Sequence, residues 1–488
     1  MSDVNNVVRL PFSGDPDREN FNPGDHAGQL RMAHYMADWY GDKLIYVYSL
    51  NWLFWNGKCW EVDKVGEANR VAQETLKAAW GEVGKMVAQD DKNRLIAAIK
   101  RCDSTASGIA GMIKQAAAEL AFVRRIDELD ADPWLLNVAN GTLDLHNYKL
   151  REWNPADCIT QIANAAYDPE AKCELWLKSL ERILPIPRVR RHFQRLAGAS
   201  MVGRILPERI LPLLHGDGGN GKNTVWEALV YVLGDYASLG DPNLLRHHEN
   251  GTAHPTNVMD LRGKRFVVIN ETEEGVRMNV TLMKSLTGDN YLKARFMKKD
   301  FEQFRATHTV WVVTNHLPTV TGREKAAWDR MQVIPFDVVI PEDEQILDLA
   351  DQLKLEADGI LGWLMEGLRD YMEHGLDTPP EVLRKTEKYQ HDNDDVARFI
   401  DDECLTEARA GTKVSAWATT QELYNRYTPW WRAECSADPR KRMLGRKQFG
   451  MELDRLGYEV REGNRKPRVG IRLRPEPEGR NVLVRRSF

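Results

Sequence analysis

The chain has 488 residues, of which 42% are hydrophobic, and a formal net charge of −5. This length suits two or three domains, and no apolar run approaches the roughly 20 residues that span a bilayer, which argues against a membrane protein. The opening residues, MSDVNNVVRL, lack the apolar core of a signal peptide. The six cysteines form no C-x-x-C pair, so we expect reduced thiols in a cytoplasmic protein without a zinc site.

The charge is unevenly distributed along the chain. Residues 440–488, called the basic tail below, contain 15 Lys/Arg and 6 Asp/Glu, a net +9 that leaves −14 for the preceding residues. A basic segment on an acidic body is typical of contact with a polyanion such as nucleic acid. An ordinary solvated surface is the alternative interpretation of the same composition.

Residues 1–27 are polar and contain proline and glycine, which predicts a flexible arm. An α-rich domain with aromatic hairpins is predicted over residues 28–173. In the segment WLFWNGKCWEVD, aromatic residues surround an Asn56-Gly57 turn, and this pattern predicts a hairpin. We expect its aromatic side chains to form a packed core, with stacking on nucleic-acid bases as the alternative.

Helices are predicted over residues 66–129, where apolar positions recur at helical spacing without proline. The segment LLNVANGTLDL predicts a second hairpin around Asn140-Gly141. Asp130 and Asp132 lie just before it with the spacing of a two-metal polymerase pair. We reject that function because the pair leads directly into a turn before the hairpin.

An α/β domain with a mainly parallel sheet is predicted over residues 174–378, since strands and helices alternate there. Helical residues 174–203 precede the apolar segment RILPLL, a glycine-rich segment and an amphipathic helix that ends at Gly234. Three further apolar segments are predicted to be buried strands, namely residues 265–271, 308–315 and 330–336.

The segment HGDGGNGKNT nearly fits the phosphate-binding pattern G-x-x-x-x-G-K-[ST]. Its backbone N–H groups would line an anion site at a helix N-terminus, and Lys222 would reach the β- and γ-phosphates of ATP. Asn223 stands where the pattern has Ser or Thr; its amide oxygen could ligate Mg²⁺, or Thr224 or water could take that place. The candidate nucleotide-binding residues, called the glycine-rich loop below, are Gly216, Gly218, Gly219, Asn220, Gly221, Lys222, Asn223 and Thr224.

Polar side chains also follow two of the predicted strands. Glu271 and Glu273 come just after one strand, on one side of an extended segment, and Asn315 ends the next. A nucleotide hydrolase needs an acid near its phosphate site to hold Mg²⁺ and polarise water, and a polar group that orients this water. These residues are therefore candidates for catalysis, with Glu271 joining Asn223 as a metal ligand.

A helical stretch from residue 343 to 375 is predicted to close the α/β domain. Pro379-Pro380 and the acidic segment QHDNDD predict a linker over residues 379–395. From residue 396 to 488 the chain is basic, with a predicted helix, helix and strand.

The ordered segments GDGGNGKNT, NETEEG, MKSLTGDNYLKARF, VTNHLP and AAWDRMQVIPF resemble the superfamily 3 (AAA+) helicases. They are most similar to the helicase half of the phage and plasmid primase–helicases of poxvirus type. LLNVANGTLDL and YDPEAKCELWLKSLERIL resemble the helical domain that precedes this motor, and the segments of the basic tail resemble its winged helix. The resemblance covers roughly residues 28–475 and implies a helicase without a fused primase domain, which would work with a separate primase.

The resemblance also implies a ring, usually a hexamer, with ATP sites between subunits. Lys222 would be the phosphate lysine, Glu271 and Glu273 would hold Mg²⁺ and activate water, and Asn315 would be the sensor. Arg330 would be the arginine finger that reaches the γ-phosphate of the neighbouring subunit. The alternative for Arg330 is a plain surface salt bridge, and the preceding residue, Asp329, departs from the basic residue usual in the family.

The resemblance places a hairpin between the second and third strands in the ring channel, where Lys298 and Lys299 would grip the DNA backbone. An exposed charged turn is the alternative there. The candidate DNA contacts of the winged helix are Arg440, Lys441, Arg442, Arg446, Lys447, Arg465, Lys466 and Arg468, with Lys447, Arg465 and Lys466 foremost.

Two functions remain open from the sequence. The first is an ATP-dependent DNA helicase for replication of a phage, plasmid or other mobile element, acting on single-stranded DNA or an origin duplex in the cytoplasm of a bacterial host. The second is an ATP-binding scaffold or initiator at an origin that hydrolyses ATP weakly because of Asn223. A regulatory or defence ATPase is a weaker third alternative.

Overall fold

The computed structural model describes residues 26, 28–103, 105–247, 255–270, 276–297, 300–320, 325–407, 417–436, 442–462 and 465–475. The chain divides into two compact units, Met1–Ala163 and Asn164–Phe488, and each is described by itself. Within the described ranges, no helix is both long enough and apolar enough to cross a bilayer.

The first unit combines helices with two small antiparallel sheets. The helices are α1 (Gln29–Tyr40), α2 (Glu67–Val83), α3 (Gln89–Asp103) and α4 (Ala106–Ala116). The strands are β1 (Leu44–Val47), β2 (Asn51–Trp55), β3 (Trp60–Val62), β4 (Leu135–Val138), β5 (Gly141–Asp144) and β6 (Lys149–Arg151). They pair in the orders β1-β2-β3 and β4-β5-β6, which confirms the predicted α-rich region and both predicted hairpins.

The aromatic residues of the first hairpin belong to the core, as the sequence predicted. Trp52 and Trp60 are buried, and the ring of Trp52 lies edge-on to Phe122 with centroids 5.1 Å apart. Asp130 is engaged in a loop contact, because its carboxylate accepts hydrogen bonds from the backbone N–H and hydroxyl of Thr160 at 2.8 and 2.5 Å. This contact gives Asp130 a structural role.

A five-stranded parallel sheet forms the centre of the second unit, as predicted for an α/β domain. Its strands are β7 (Leu211–His215), β8 (Ala237–Leu239), β9 (Phe266–Asn270), β12 (Thr309–Thr314) and β13 (Met331–Pro335), in the order β13-β7-β12-β9-β8. All six residues of β12 are buried, since helices cover both faces of a parallel sheet and select continuous apolar strands. A separate antiparallel hairpin contains β10 (Tyr291–Ala294) and β11 (Glu302–Arg305).

The helices of this part of the unit are α5 (Glu174–Ile183), α6 (Pro187–Ala199), α7 (Lys222–Leu233), α8 (Pro255–Met259), α9 (Val280–Gly288), α10 (Lys325–Trp328), α11 (Leu349–Lys354) and α12 (Ala357–His374). Helices α6 and α12 approach each other closely at two glycines: a Cβ on Gly198 would lie 2.3 Å from the backbone nitrogen of Leu368, and one on Gly367 would lie 2.2 Å from the carbonyl oxygen of Gln194. Arg195 is buried beside this contact and donates to Asp370 at 2.5 Å.

The predicted linker at residues 379–395 is wrong over most of its length, because Pro380–Asp392 form helix α13. Proline is favoured in the first helical turn, so Pro379-Pro380 starts a helix here. Helix α13 packs against the sheet. Tyr389 is buried against Trp328 with ring centroids 5.1 Å apart, and the hydroxyl of Thr386 accepts a hydrogen bond from the backbone N–H of Val333 at 2.9 Å.

After α13 the described α-helices and strands are α14 (Asp395–Glu403), β14 (Cys404–Thr406), α15 (Thr420–Glu434), α16 (Arg446–Arg455) and β15 (Ile471–Leu473), with β14 and β15 paired antiparallel. They enclose a core rich in aromatic rings, in which Phe399, Tyr427 and Phe449 pack together. The predicted order of helix, helix and strand is present in α15, α16 and β15, while the winged-helix assignment stays a prediction.

Arg468 is not the surface cation that the sequence predicted. It is 4% exposed, and its guanidinium donates to the hydroxyl of Thr420 at 2.9 Å and to the carbonyl oxygens of Tyr458 and Gly450 at 2.8 and 3.0 Å. It also forms an ion pair with Asp454. A buried guanidinium needs such partners, so Arg468 holds this part of the chain together and is unavailable to DNA.

Candidate functional site

The glycine-rich loop joins the end of β7 to the start of α7, in the strand–loop–helix order that the sequence predicted. At Gly216 a Cβ would lie 2.0 Å from the carbonyl oxygen of Phe336, which follows β13. Gly221 has a φ of 77°, and a Cβ there would lie 2.6 Å from the Cδ1 of Ile183. Both positions therefore require glycine, one for close packing and one for close packing together with a left-handed backbone.

Asn220 braces the loop from inside. It is 3% exposed, and its Nδ2 donates to the carbonyl oxygen of Phe336 at 2.9 Å and to that of Asp217. Its Oδ1 accepts from the backbone N–H of Lys222 at 3.3 Å. The sequence predicted Asn220 as a member of the loop but gave no signal for this bracing role, which depends on a carbonyl 116 residues away.

Lys222 lies buried at the centre of the site and is 4% exposed. Its Nζ donates to Asn315 Oδ1 at 2.8 Å and to the carbonyl oxygens of Gly216 and Asp217 at 2.5 and 3.3 Å. Burial lowers the pKa of the Lys222 amine, and the charge of Asp217 opposes this effect. The structure thus brings Asn315 to Lys222 and surrounds a desolvated cation with neutral oxygens, which suits an incoming anion.

A cavity of about 480 Å³ opens beside these residues. Its lining includes the glycine-rich loop from Gly218 to Thr224, residues of α5, the tips of β9 and β12, and the segment 340–349. The backbone N–H of Ile340 donates to the carbonyl oxygen of Gly219 at 2.8 Å. Arg182 and Glu344 line the cavity and form an ion pair between α5 and this segment. The cavity volume of about 480 Å³ is within the usual range for small-molecule sites.

The described part of the cavity offers few ligands for a cation. Asn223 and Thr224 line it, as does Asn270 at the tip of β9, but the oxygen of Asn223 accepts a hydrogen bond from the indole N–H of Trp226 at 3.2 Å. In the described residues, no three His, Cys, Asp or Glu side chains lie close enough to hold a metal. The predicted metal-site residues Glu271 and Glu273 lie outside the described residues, so the cation site that they would complete stays a prediction.

Arg330 lies just before β13, at the other end of that strand from the glycine-rich loop. Its Nη1 donates to the carbonyl oxygen of Lys284 at 2.6 Å and to the hydroxyl of Thr287 at 2.8 Å. These contacts tie the last turn of α9 to the sheet. Its role as an arginine finger toward a second chain stays a prediction.

The hairpin expected between the second and third strands is present as β10 and β11, but Lys298 and Lys299 lie outside the described residues. Lys293 and Arg295 are exposed cations of this hairpin that the sequence analysis did not predict as DNA contacts. The Nζ of Lys293 lies 5.8 Å, and the guanidinium of Arg295 4.8 Å, from the ring of Phe301, which is itself about half exposed. Alternation along β10 was the signal that could have placed Lys293 and Arg295 on one face.

Lys447, Arg465 and Lys466 are all exposed. Lys447 lies in the first turn of α16, and the other two lie in the turn closed by the bridge between Val460 and Arg468. Their exposure is compatible with contact to a polyanion. Arg440 and Lys441 lie outside the described residues.

Two family models match the chain. Residues 33–185 match the family described as D5 N terminal like, and residues 214–330, which contain the glycine-rich loop, match a family of unknown function (DUF5906). The second match therefore covers the cavity-lining loop and the tips of β9 and β12.

Curated relatives come from large DNA viruses. The "Putative helicase L207/L206" of Acanthamoeba polyphaga mimivirus is 26% identical over 66% of this chain and 35% of its own length. The "Putative primase C962R" of African swine fever virus (isolate Warthog/Namibia/Wart80/1980) is 28% identical over 46% of this chain and 24% of its own length. The "Putative helicase 121R" of Invertebrate iridescent virus 3 is 24% identical over 77% and 47%.

The chain thus spans about a quarter to a half of the length of these relatives. Among solved structures, the apo structure of the NrS-1 C terminal region (305-718) aligns with 76% of this chain and 90% of that one, at 12% identity and a TM-score of 0.40. The sequence matches support the predicted relationship to primase–helicase proteins, and the relatives come from large DNA viruses rather than from phages or plasmids.

Proposed function

We propose that this chain is an ATP-dependent DNA helicase that acts in the replication of a virus, plasmid or other mobile element. The buried Lys222 amine at the mouth of the glycine-rich loop, held against Asn315, is the observation that carries the proposal. The viral relatives that are named helicases and primases support it. We further propose a superfamily 3 (AAA+) motor that assembles as a ring, usually a hexamer, and cooperates with a primase.

ATP is the proposed substrate, with its triphosphate on the glycine-rich loop and its nucleoside in the 480 Å³ cavity. Lys222 would exchange neutral carbonyl partners for anionic phosphate oxygens, which accept stronger hydrogen bonds. The N–H groups at the start of α7 add donors and a favourable dipole. Asn315, now bonded to Lys222, would be released to orient the attacking water.

Mg²⁺, where bound, would supply positive charge that offsets the charge developing on the phosphate oxygens during hydrolysis. We propose that Glu271 and Glu273 hold the ion and activate water, and that Arg330 of one subunit completes the site of its neighbour.

Single-stranded DNA would pass along the β10–β11 hairpin, where Lys298 and Lys299 would act together with Lys293 and Arg295. Duplex DNA would be held by Lys447, Arg465 and Lys466.

The test is ATP turnover with and without single-stranded DNA, for the wild type and Lys222→Ala. We expect DNA to stimulate turnover and Lys222→Ala to reduce it by about 10²–10³-fold, since this is the usual cost of losing one preorganised donor. Lys354→Ala is the matched control, because Lys354 is an exposed lysine paired with Asp351. Its turnover should equal that of the wild type. Absence of ATP binding in the wild type would contradict the proposal.

A scaffold that binds ATP at an origin and hydrolyses it weakly is the second candidate. The hydrogen bond between Asn223 and Trp226 favours it, because this bond uses one of the two lone pairs of the oxygen that the magnesium site would use. ATP binding that depends on Lys222, together with turnover that DNA does not stimulate, would favour the scaffold over the helicase.

A further inference from the structure

Asn223 is the position at which the glycine-rich loop departs from its pattern, and the structure shows how this residue is held. It lies in the first turn of α7, directly after Lys222. Its Oδ1 is 3.2 Å from the Nε1 of Trp226, three residues further along the helix. Trp226 is 6% exposed, so its indole lies within the core while Asn223 is exposed and lines the cavity.

The partner of Asn223 determines which end of its amide faces which way. An indole N–H can only donate, so the atom that it contacts must be the acceptor oxygen of the amide. The orientation of this Asn therefore follows from chemistry, whereas an isolated amide can be assigned either way. The Nδ2 group lies on the other branch of the amide, and among the described residues the structure gives it no hydrogen-bond partner.

We propose that Asn223 is a phosphate-binding donor positioned by Trp226, and does not act as a magnesium ligand. This inference rests on the proposed nucleotide site. One of the two lone pairs of the oxygen that Mg²⁺ would prefer accepts from the indole, whereas the –NH₂ end suits an anionic phosphate oxygen. The start of α7 already favours an anion, and one more donor strengthens that preference.

With Asn in place of Ser or Thr, the side chain therefore contributes to ATP binding by contacting the phosphates, and no longer by contacting Mg²⁺. A hydroxyl at this position contributes mainly through the cation, so it helps little when the cation is removed. A donor at this position contacts the nucleotide itself. ATP binding by this chain should consequently depend less on Mg²⁺ than binding by a variant that restores the hydroxyl.

The experiment measures the dissociation constant of ATP by calorimetry, in EDTA and in excess Mg²⁺. The ratio of the constant in EDTA to the constant in Mg²⁺ is then compared between the wild type and each variant. We expect Asn223→Ser to weaken binding in EDTA by about tenfold to 100-fold, the value of a charge-assisted hydrogen bond, and to raise the ratio accordingly. Asn223→Asp, which keeps the shape but replaces the donor by a carboxylate oxygen, should bind ATP most weakly in EDTA.

Trp226→Phe tests the positioning role, because it removes the indole N–H and lets the amide rotate. It should weaken ATP binding in EDTA by about threefold to tenfold, and it should add nothing to Asn223→Ser when the two are combined. Trp430→Phe is the matched control. It also removes an indole N–H, which donates to Asp402, but both residues lie far in sequence from the glycine-rich loop. It should leave both dissociation constants unchanged.

The outcomes separate this inference from the function on which it rests. A ratio that stays equal or falls in Asn223→Ser, while binding still requires Lys222, would overturn the donor role and leave the nucleotide site intact. Tighter binding by Asn223→Asp in Mg²⁺ would likewise assign the oxygen to the metal. Loss of wild-type ATP binding in both buffers would overturn the nucleotide site as well.

Discussion

The cationic side chains of the glycine-rich loop and of the basic tail lie in opposite environments, one buried and the others exposed. Lys222 is 4% exposed and has three oxygen partners at defined distances. Lys447, Arg465 and Lys466 extend from the surface of the described tail into solvent. A site that positions one reacting group needs fixed geometry, whereas a grip on a repeating phosphate backbone needs only charge at approximate positions. The two regions should therefore respond differently to conservative substitutions.

Steric change should have its largest effect at the loop. In Gly216→Ala the added Cβ would lie 2.0 Å from the carbonyl oxygen of Phe336, so we expect the free energy of unfolding to fall by about 1–3 kcal/mol, as for other overpacked sites. Gly218→Ala is the matched control, because no atom lies within 4 Å of its added Cβ. Chemical denaturation measures both variants. Equal stability of the two would show that the loop is not held tightly against the sheet.

Charge removal should have the larger effect on the tail. With Lys447, Arg465 and Lys466 all replaced by Ala, duplex DNA affinity should fall, and the slope of log affinity against log salt should decrease in magnitude by about 2.7, near 0.9 for each lost phosphate contact. Fluorescence anisotropy over a range of salt concentrations measures this slope. The control replaces Lys447 and Lys466 by Arg, which keeps the charge and should keep the slope. An unchanged slope in the triple variant would remove these residues from the DNA surface.

The smallest effect is expected at the rim of the cavity, where Arg182 and Glu344 are paired but each about half exposed. Exposed ion pairs contribute about 0–1 kcal/mol, so Arg182→Ala should weaken ATP binding by roughly twofold to fivefold. Inorganic triphosphate, which lacks the nucleoside, should bind the variant and the wild type equally well. An equal loss for both ligands would instead make Arg182 a phosphate contact.

The strands around the site could be predicted because buried parallel strands have continuous apolar sequences, and here polar residues follow them. The segments that became β9, β12 and β13 were identified in this way, and so was the position of Asn315 just after β12. Contacts between distant segments left no such signal. Nothing local to Asn220 indicates the carbonyl of Phe336 as its partner.

Two predictions, the linker at residues 379–395 and the exposure of Arg468, were wrong because burial was inferred from local composition alone. Pro379-Pro380 and the acidic segment after it have the composition of a linker, but Val382 and Tyr389 are spaced for one helical face and are buried. Arg468 has the same charge as its neighbours in the basic tail, yet it lies inside the fold. Charge and polarity along a chain are local properties, whereas burial depends on what the rest of the chain brings to the same place.

Strand β13 connects the glycine-rich loop at one end of the sheet with the Arg330 contacts at the other end. Its five residues pair in register with β7 from Met331 to Pro335. The segment just after it contacts the glycine-rich loop through Phe336 and Ile340, and Arg330 just before it is bonded to α9. A short strand paired along its whole length has no internal hinge, so its two ends move together. A single relaxation rate should therefore govern both the loop and the Arg330 contact.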